Sequence, residues 1–220
     1  MGLPFTHDEF FGIFAEYNRR LWPVVVALWL VTAGAVVATW RSPARCSRAL
    51  THLLGFLWAW NAVAYHALLF TRINPAAWLF SALFAVQALL LFRAGARQQA
   101  EYFMARGPMH VAGVGLVGYA LAYPFISVAL GHDYPAAPTF GVPCPTAILT
   151  IGVLLTMGPG GSGRESFALA PAVIPAVWGF IGGSAAVLLT VTADYALLGA
   201  GMLMTAVLIV RVMRATRARG

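Results

Sequence analysis

The stretch "LWPVVVALWLVTAGAVVATW", residues 21–40, decides the fold. Between Leu21 and Trp40 there is no charged side chain, and apolar runs of about 18 residues or more are the signature of helices that cross a bilayer. Similar runs lie near 50–70, 75–92, 108–130, 143–157, 169–190 and 193–210. The chain is 60% hydrophobic and only 10% charged, whereas a soluble domain carries about 25% charged residues. The sequence therefore predicts an all-α fold: a polytopic membrane helix bundle of seven transmembrane helices, forming one integral membrane domain over 1–220.

Upstream of the first run, "FTHDEFFGIFAEYNRR" (residues 5–20) has the marks of an amphipathic helix. Thr6 and Glu9 have the spacing of a capping box, and Phe5 and Phe10 that of a hydrophobic staple. Phe10, Phe14, Tyr17 and Leu21 recur at helical spacing, while Asp8, Glu9, Glu16, Arg19 and Arg20 are available to water. A helix of this kind over 6–20 is expected to lie in the headgroup plane, with Trp22 and Pro23 marking the turn into the span 22–40.

Charge sets the expected orientation. All fourteen cations are arginine and the net charge is +7, but the arginines sit in short connections, which argues against a nucleic-acid surface and for a lipid-bilayer partner. The absence of lysine excludes a Schiff-base or lysine-nucleophile chemistry. The fifth run is short, about 22 Å for its fifteen residues at 1.5 Å per residue, so it could cross or merely dip. If it crosses and the N-terminus is outside, Arg41, Arg45, Arg48, Arg93, Arg97, Arg106, Arg164, Arg211, Arg214, Arg217 and Arg219 face inward, and Arg19, Arg20 and Arg72 outward: 11 against 3. If it only dips, the count becomes 6 against 8. The positive-inside rule selects the first arrangement, with the C-terminus cytoplasmic.

That topology puts the connection "GHDYPAAPTFGVPCPT" (residues 131–146) on the outer face. His66, Asn74, His132, Asp133, Tyr134, Cys144 and Asp194 then gather at one end as candidate ligand-binding or pore residues. Asn61, Tyr65 and Gln87 could extend a path inward. Asn61 and Tyr65 are four apart, with Trp58 three before Asn61, so one helix stripe presents polar groups to a neighbour. Asn74-Pro75 has the chemistry of a helix start. His66, His132, Cys144 and Asp194 are donors that a transition-metal cofactor would take, although no paired ligand spacing accompanies them. Cys46 and Cys144 fall on opposite faces, so no disulfide between them is expected. Gly179-x-x-x-Gly183 and "GAGM" at 199–202 suggest close helix crossings within the bundle, or a homo-oligomer seam.

Taken in order, "FTHDEFFGIFAEYNRRLWP", "YHALLFTRINPAAWLF", "GYALAYPFISVALGHDYPAAPTFGVPCPTAILTIG" and "VIPAVWGFIGGSAA" resemble a family of bacterial multi-span membrane proteins catalogued as a domain of unknown function. The resemblance covers nearly the whole chain and implies the bacterial inner membrane; it implies no activity. Seven-span zinc hydrolases of the ceramidase and adiponectin-receptor type carry a His-x-x-x-His pair late in the chain, and "DYALLGAGMLMTAVLIV" has no histidine. Three functions follow: a channel, transporter or binder for a small solute; a membrane-embedded enzyme or metal-binding protein using Cys144 with His66 or His132; or a structural and assembly partner.

Overall fold

The computed structural model describes residues 4–97, 101–104, 106–158 and 169–217; Arg164 and Arg219, counted above, lie outside the described residues. Seven α-helices follow the apolar runs closely: α1 His7–Arg41, α2 Pro43–Trp60, α3 Ala77–Ala96, α4 Pro108–Ala129, α5 Pro143–Leu155, α6 Ala170–Leu188 and α7 Tyr195–Arg217. Helix α2 continues as a π-helical stretch over Asn61–Ala67 and a 3₁₀ turn over Phe70–Arg72; a second 3₁₀ turn, Thr192–Asp194, leads into α7. Six of these helical segments are long and apolar enough to cross a membrane; α5 is the shorter exception. Side chains such as Leu79, Val111, Phe125 and Leu188 are exposed on the outside of the bundle, where only lipid could solvate them well.

The N-terminal segment differs from expectation. The capping box at Thr6 and Glu9 forms, and the rings of Phe5 and Phe10 stack at 5.8 Å, but no turn occurs at Trp22-Pro23. Helix α1 runs unbroken for 35 residues, about 52 Å. Proline costs a helix one backbone bond, a cost that neighbouring groups absorb in membrane helices. Here the segment before Pro23 is held upright by the bundle. Phe10 and Phe14 pack on Phe70 and Tyr65, so the stripe expected to meet headgroups meets protein instead. Glu16 holds Arg72 at 2.8 and 2.9 Å and Arg20 at 3.0 Å, clamping α1 to the α2–α3 connection.

Helix α5 is the axis. Twelve of its thirteen residues are buried, and it packs on α2, α4, α6 and α7. Its length of about 20 Å falls short of the ~30 Å hydrocarbon thickness, and two connections make up the difference. At its N-terminal end the 131–142 loop folds over it. At its C-terminal end residues 101–104 rise to meet it: Met104 N–H donates to the Thr156 carbonyl at 3.2 Å and Phe103 N–H to Thr156 Oγ1 at 3.1 Å. Tyr102 is fully buried there, its hydroxyl sharing a 3.0 Å hydrogen bond with Thr51 Oγ1, and burial pushes that phenol up to about 12. The polar stripe of α2 finds its neighbour in α5: Trp58 Nε1 donates to Thr150 Oγ1 at 2.9 Å and Asn61 Nδ2 to Thr146 Oγ1 at 3.0 Å. Cys46, near the start of α2, and Cys144, at the start of α5, are both free thiols.

Without a hydrophobic force between helices in lipid, close backbone approach supplies much of the adhesion. Gly179 of α6 faces Gly201 of α7 so tightly that a Cβ on Gly179 would stand 2.5 Å from the Gly201 Cα. Gly183 meets Leu198 in the same seam, and Gly113 of α4 meets Gly152 of α5 in another. The expected glycine crossings are thus internal to one bundle. Gly199 has open space around its Cβ position and supplies an internal control. Gly201→Ala should destabilise the detergent-purified protein by about 1–3 kcal/mol through overpacking, while Gly199→Ala leaves the thermal unfolding midpoint unchanged or raises it.

Candidate functional site

The proline-rich connection is a cap tied to α1. Asn18, buried to 2% exposure, donates through Nδ2 to the carbonyls of Pro135 at 2.7 Å and Ala137 at 2.8 Å, and its Oδ1 accepts from Thr139 Oγ1 at 2.6 Å. One amide side chain thereby satisfies three loop groups. Tyr17 completes the attachment: its hydroxyl donates to the Gly141 carbonyl at 2.9 Å and accepts from Trp60 Nε1 at 2.8 Å. Gly141 has φ +80° and lies so close to Tyr17 that a Cβ would stand 2.8 Å from its hydroxyl, so glycine is required twice over. His132 packs on Phe11 at 5.0 Å. Partial burial and nearby His7 hold its imidazole below the usual range, against a backbone contact at Leu130 that raises it.

Beneath this cap lies a buried aromatic and polar cluster. The π-helical stretch turns His66 fully inward, 0% exposed, and such wide turns recur at functional sites. The imidazole sits among the rings of Phe84 at 4.6 Å, Trp178 at 5.3 Å, Tyr65 at 5.3 Å and Phe80 at 5.8 Å. Neither of its nitrogens has a hydrogen-bond partner among the described residues, and the Trp178 indole N–H meets only the weakly accepting sulfur of Cys144. Leaving a buried polar group unsatisfied costs about 1–3 kcal/mol, so two such atoms on one ring, beside an indole with only a sulfur for partner, call for an explanation. Trp178 in turn borders the Cys144 thiol, which lies against Asp194. Asp194 is buried at 3% exposure and accepts a hydrogen bond from the Tyr123 hydroxyl.

Of the residues singled out from sequence, Tyr65, His66, Cys144 and Asp194 belong to this cluster, with Asn61 on the face of α2 toward α5. Asn61 Nδ2 also donates to Leu57 O at 2.8 Å, and Gln87 Nε2 donates to Pro171 O at 2.8 Å; Asn61 Oδ1 and Gln87 Oε1 have no partner among the described residues. The others lie elsewhere. Asn74 Oδ1 accepts from Ala76 N–H at 3.0 Å, holding the turn before α3. Asp133 and Tyr134 are exposed on the cap, and His132 sits under α1. The group beside Cys144 is a carboxyl and an indole. Among the described residues no three His, Cys, Asp or Glu side chains converge as a metal-holding set.

Sequence reasoning missed Asn18, Trp60, Tyr123 and Trp178. Asn18 stood between Tyr17 and Arg19 in a helix read as interfacial. Its polarity looked like surface, and only the fold reveals that it matches three groups about 117–121 residues away. Tyr123, inside an apolar run, was the more readable signal, since a buried phenol needs a partner.

Fold and site together define a polytopic, membrane-type helix bundle with a capped, aromatic-lined polar cluster. The chain belongs to a family described as "Family of unknown function (DUF6064)", which it matches over residues 7–219. No curated protein and no solved structure matches it.

Removing the attachment should loosen the cap without unfolding the helices. Asn18→Ala should raise amide hydrogen exchange across 131–142 by at least tenfold, three lost hydrogen bonds being worth about 1 kcal/mol each, with exchange in α5 little changed. Equal protection of the loop in both proteins would remove Asn18 from this role.

Proposed function

We propose that the protein binds a small polar solute within the bundle, in the manner of a transporter or a receptor, at the cluster of His66 and Trp178. In this reading the capped end faces outward, the arginine-rich end faces the cytoplasm, and the membrane is the bacterial inner membrane. The observation that carries the reading is the fully buried His66 imidazole, both of its nitrogens without a partner among the described residues, beside the Trp178 indole. A tertiary fold does not keep two such atoms dry without cost. A solute with hydrogen-bonding groups on a compact body satisfies them, and the surrounding rings give it an apolar seat. Cys144 and the Asp194–Tyr123 pair supply further polar wall. The acceptors of Asn61 and Gln87 extend the polar surface inward, and the loop 131–142, bearing His132, Asp133 and Tyr134, covers the approach from outside.

Intramembrane polar groups of this sort are functional by default, and the arrangement carries a separable consequence for stability and binding. His66→Phe replaces an unsatisfied imidazole by a ring suited to the same aromatic surroundings, so the variant should unfold at the same temperature as the parent or higher. It should nevertheless lose the thermal stabilisation conferred by any polar solute found by screening the purified protein. Trp178→Phe should weaken the same solute about three- to tenfold, the worth of one N–H donor, and Asn74→Ala should leave its affinity unchanged. A solute that stabilises His66→Phe as strongly as the parent would overturn the assignment.

A further inference from the structure

The short reach of α5 has an effect at the opposite end of the molecule from His66. Helix α5 stops at Leu155, while α7 continues to Arg217. On one flank residues 101–104 fill the space below Thr156. On the other flank a small, half-open crevice of about 50 Å³ is left among the described residues, lined by Met109 of α4, Leu155, Ala172 of α6, and Met204, Leu208 and Arg211 of α7. Met204, Leu208 and Arg211 follow one another at four- and three-residue spacing, so a single face of α7 runs from apolar to cationic. Water is a poor filler for such a space, because it needs two to four polar partners, and hydrocarbon side chains dominate the walls.

Arg211 is half-buried at the margin of the crevice. The ion pairs among the described residues involve His7, Arg20 and Arg72, and none involves Arg211. Arg214 stands three residues on, and Arg217 closes the helix, both exposed. A hydrocarbon slot ending in a guanidinium is complementary to one class of molecule: an apolar chain ending in an anion. We infer that this crevice is a binding site for an anionic phospholipid, part of one acyl chain seated against α4, α6 and α7 near the end of α5 and the phosphate held by Arg211, with Arg214 adding charge. Arginine suits the role because its planar fork matches two phosphate oxygens at once. The site is independent of the solute site.

The test uses the full-length protein in detergent, titrated with mixed micelles of phosphatidylglycerol or phosphatidylcholine and, separately, with glycerol phosphate, while unfolding temperature and bound lipid by native mass spectrometry are read. Phosphatidylglycerol should bind at a stoichiometric site and raise the unfolding temperature more than phosphatidylcholine; glycerol phosphate should do neither. Arg211→Gln should weaken phosphatidylglycerol about fivefold, the worth of one arginine near a membrane surface, and leave phosphatidylcholine unaffected. Ala172→Leu, which adds bulk to the slot, should lower the stoichiometry of both lipids. Equal binding of the two lipids, unchanged phosphatidylglycerol binding in Arg211→Gln, or stabilisation by glycerol phosphate alone would each overturn the proposal.

Discussion

A backbone inside a bilayer must satisfy its own polar groups, since hydrocarbon offers no replacement for water. Helix α5 is where that constraint bears hardest. At thirteen residues it is too short to carry its ends to the interfaces, so its terminal groups and those of the adjoining chain must be met by protein. The cap over its start and the rise of 101–104 to its end follow from this. So does its position at the centre, because a short helix facing lipid would leave its ends in oil. Asn18 and Tyr17 on one side, Thr156 and Tyr102 on the other, are the polar groups that close the account.

The central placement of α5 shapes the chemistry. A helix surrounded by four others brings its first turn to the meeting point of α2, α4, α6 and the start of α7. Cys144 comes from that turn, Tyr65 and His66 from the π-helical stretch, Trp178 from α6, Tyr123 from α4, and Asp194 from the turn before α7. Five segments that are separate in sequence therefore contribute to one small volume. The glycine seams at Gly113–Gly152 and Gly179–Gly201 bring the backbones of α4 and α5 and of α6 and α7 into close approach.

Much of this was legible in the residues. Uncharged runs locate the helices, because burial in lipid demands composition rather than pattern. The capping box and the staple were readable because they depend on local spacing, and the Trp58–Asn61 stripe announced a polar neighbour that proved to be α5. What composition does not distinguish is a lipid-facing helix from an enclosed one: "PCPTAILTIGVLL" is almost wholly buried, whereas the equally apolar α4 is mostly not. The π-helical stretch leaves no mark on a sequence, so the inward turn of His66 was invisible. The break expected at Pro23 failed for a tertiary reason, the anchoring of Tyr17 and Asn18 to a loop more than a hundred residues away. For the same reason the outer-face candidates separated into a buried group and a surface group: topology shows that residues share an end, not that their side chains share a space.

The attachment of α1 to the cap also has a consequence for how the protein is made. The hydrogen bonds from Tyr17 and Asn18 join residues 117 to 124 positions apart. Ribosomes add about 5–20 residues per second, so α1 emerges roughly 6–24 s before its partner loop exists. During that interval Asn18 and the Phe10–Phe14 stripe must be kept from other partners, by headgroups, by water or by an insertion factor. The cap can therefore join α1 once Gly141 has been made, while the cluster beneath it is completed later, when α6 brings Trp178 and the turn before α7 brings Asp194.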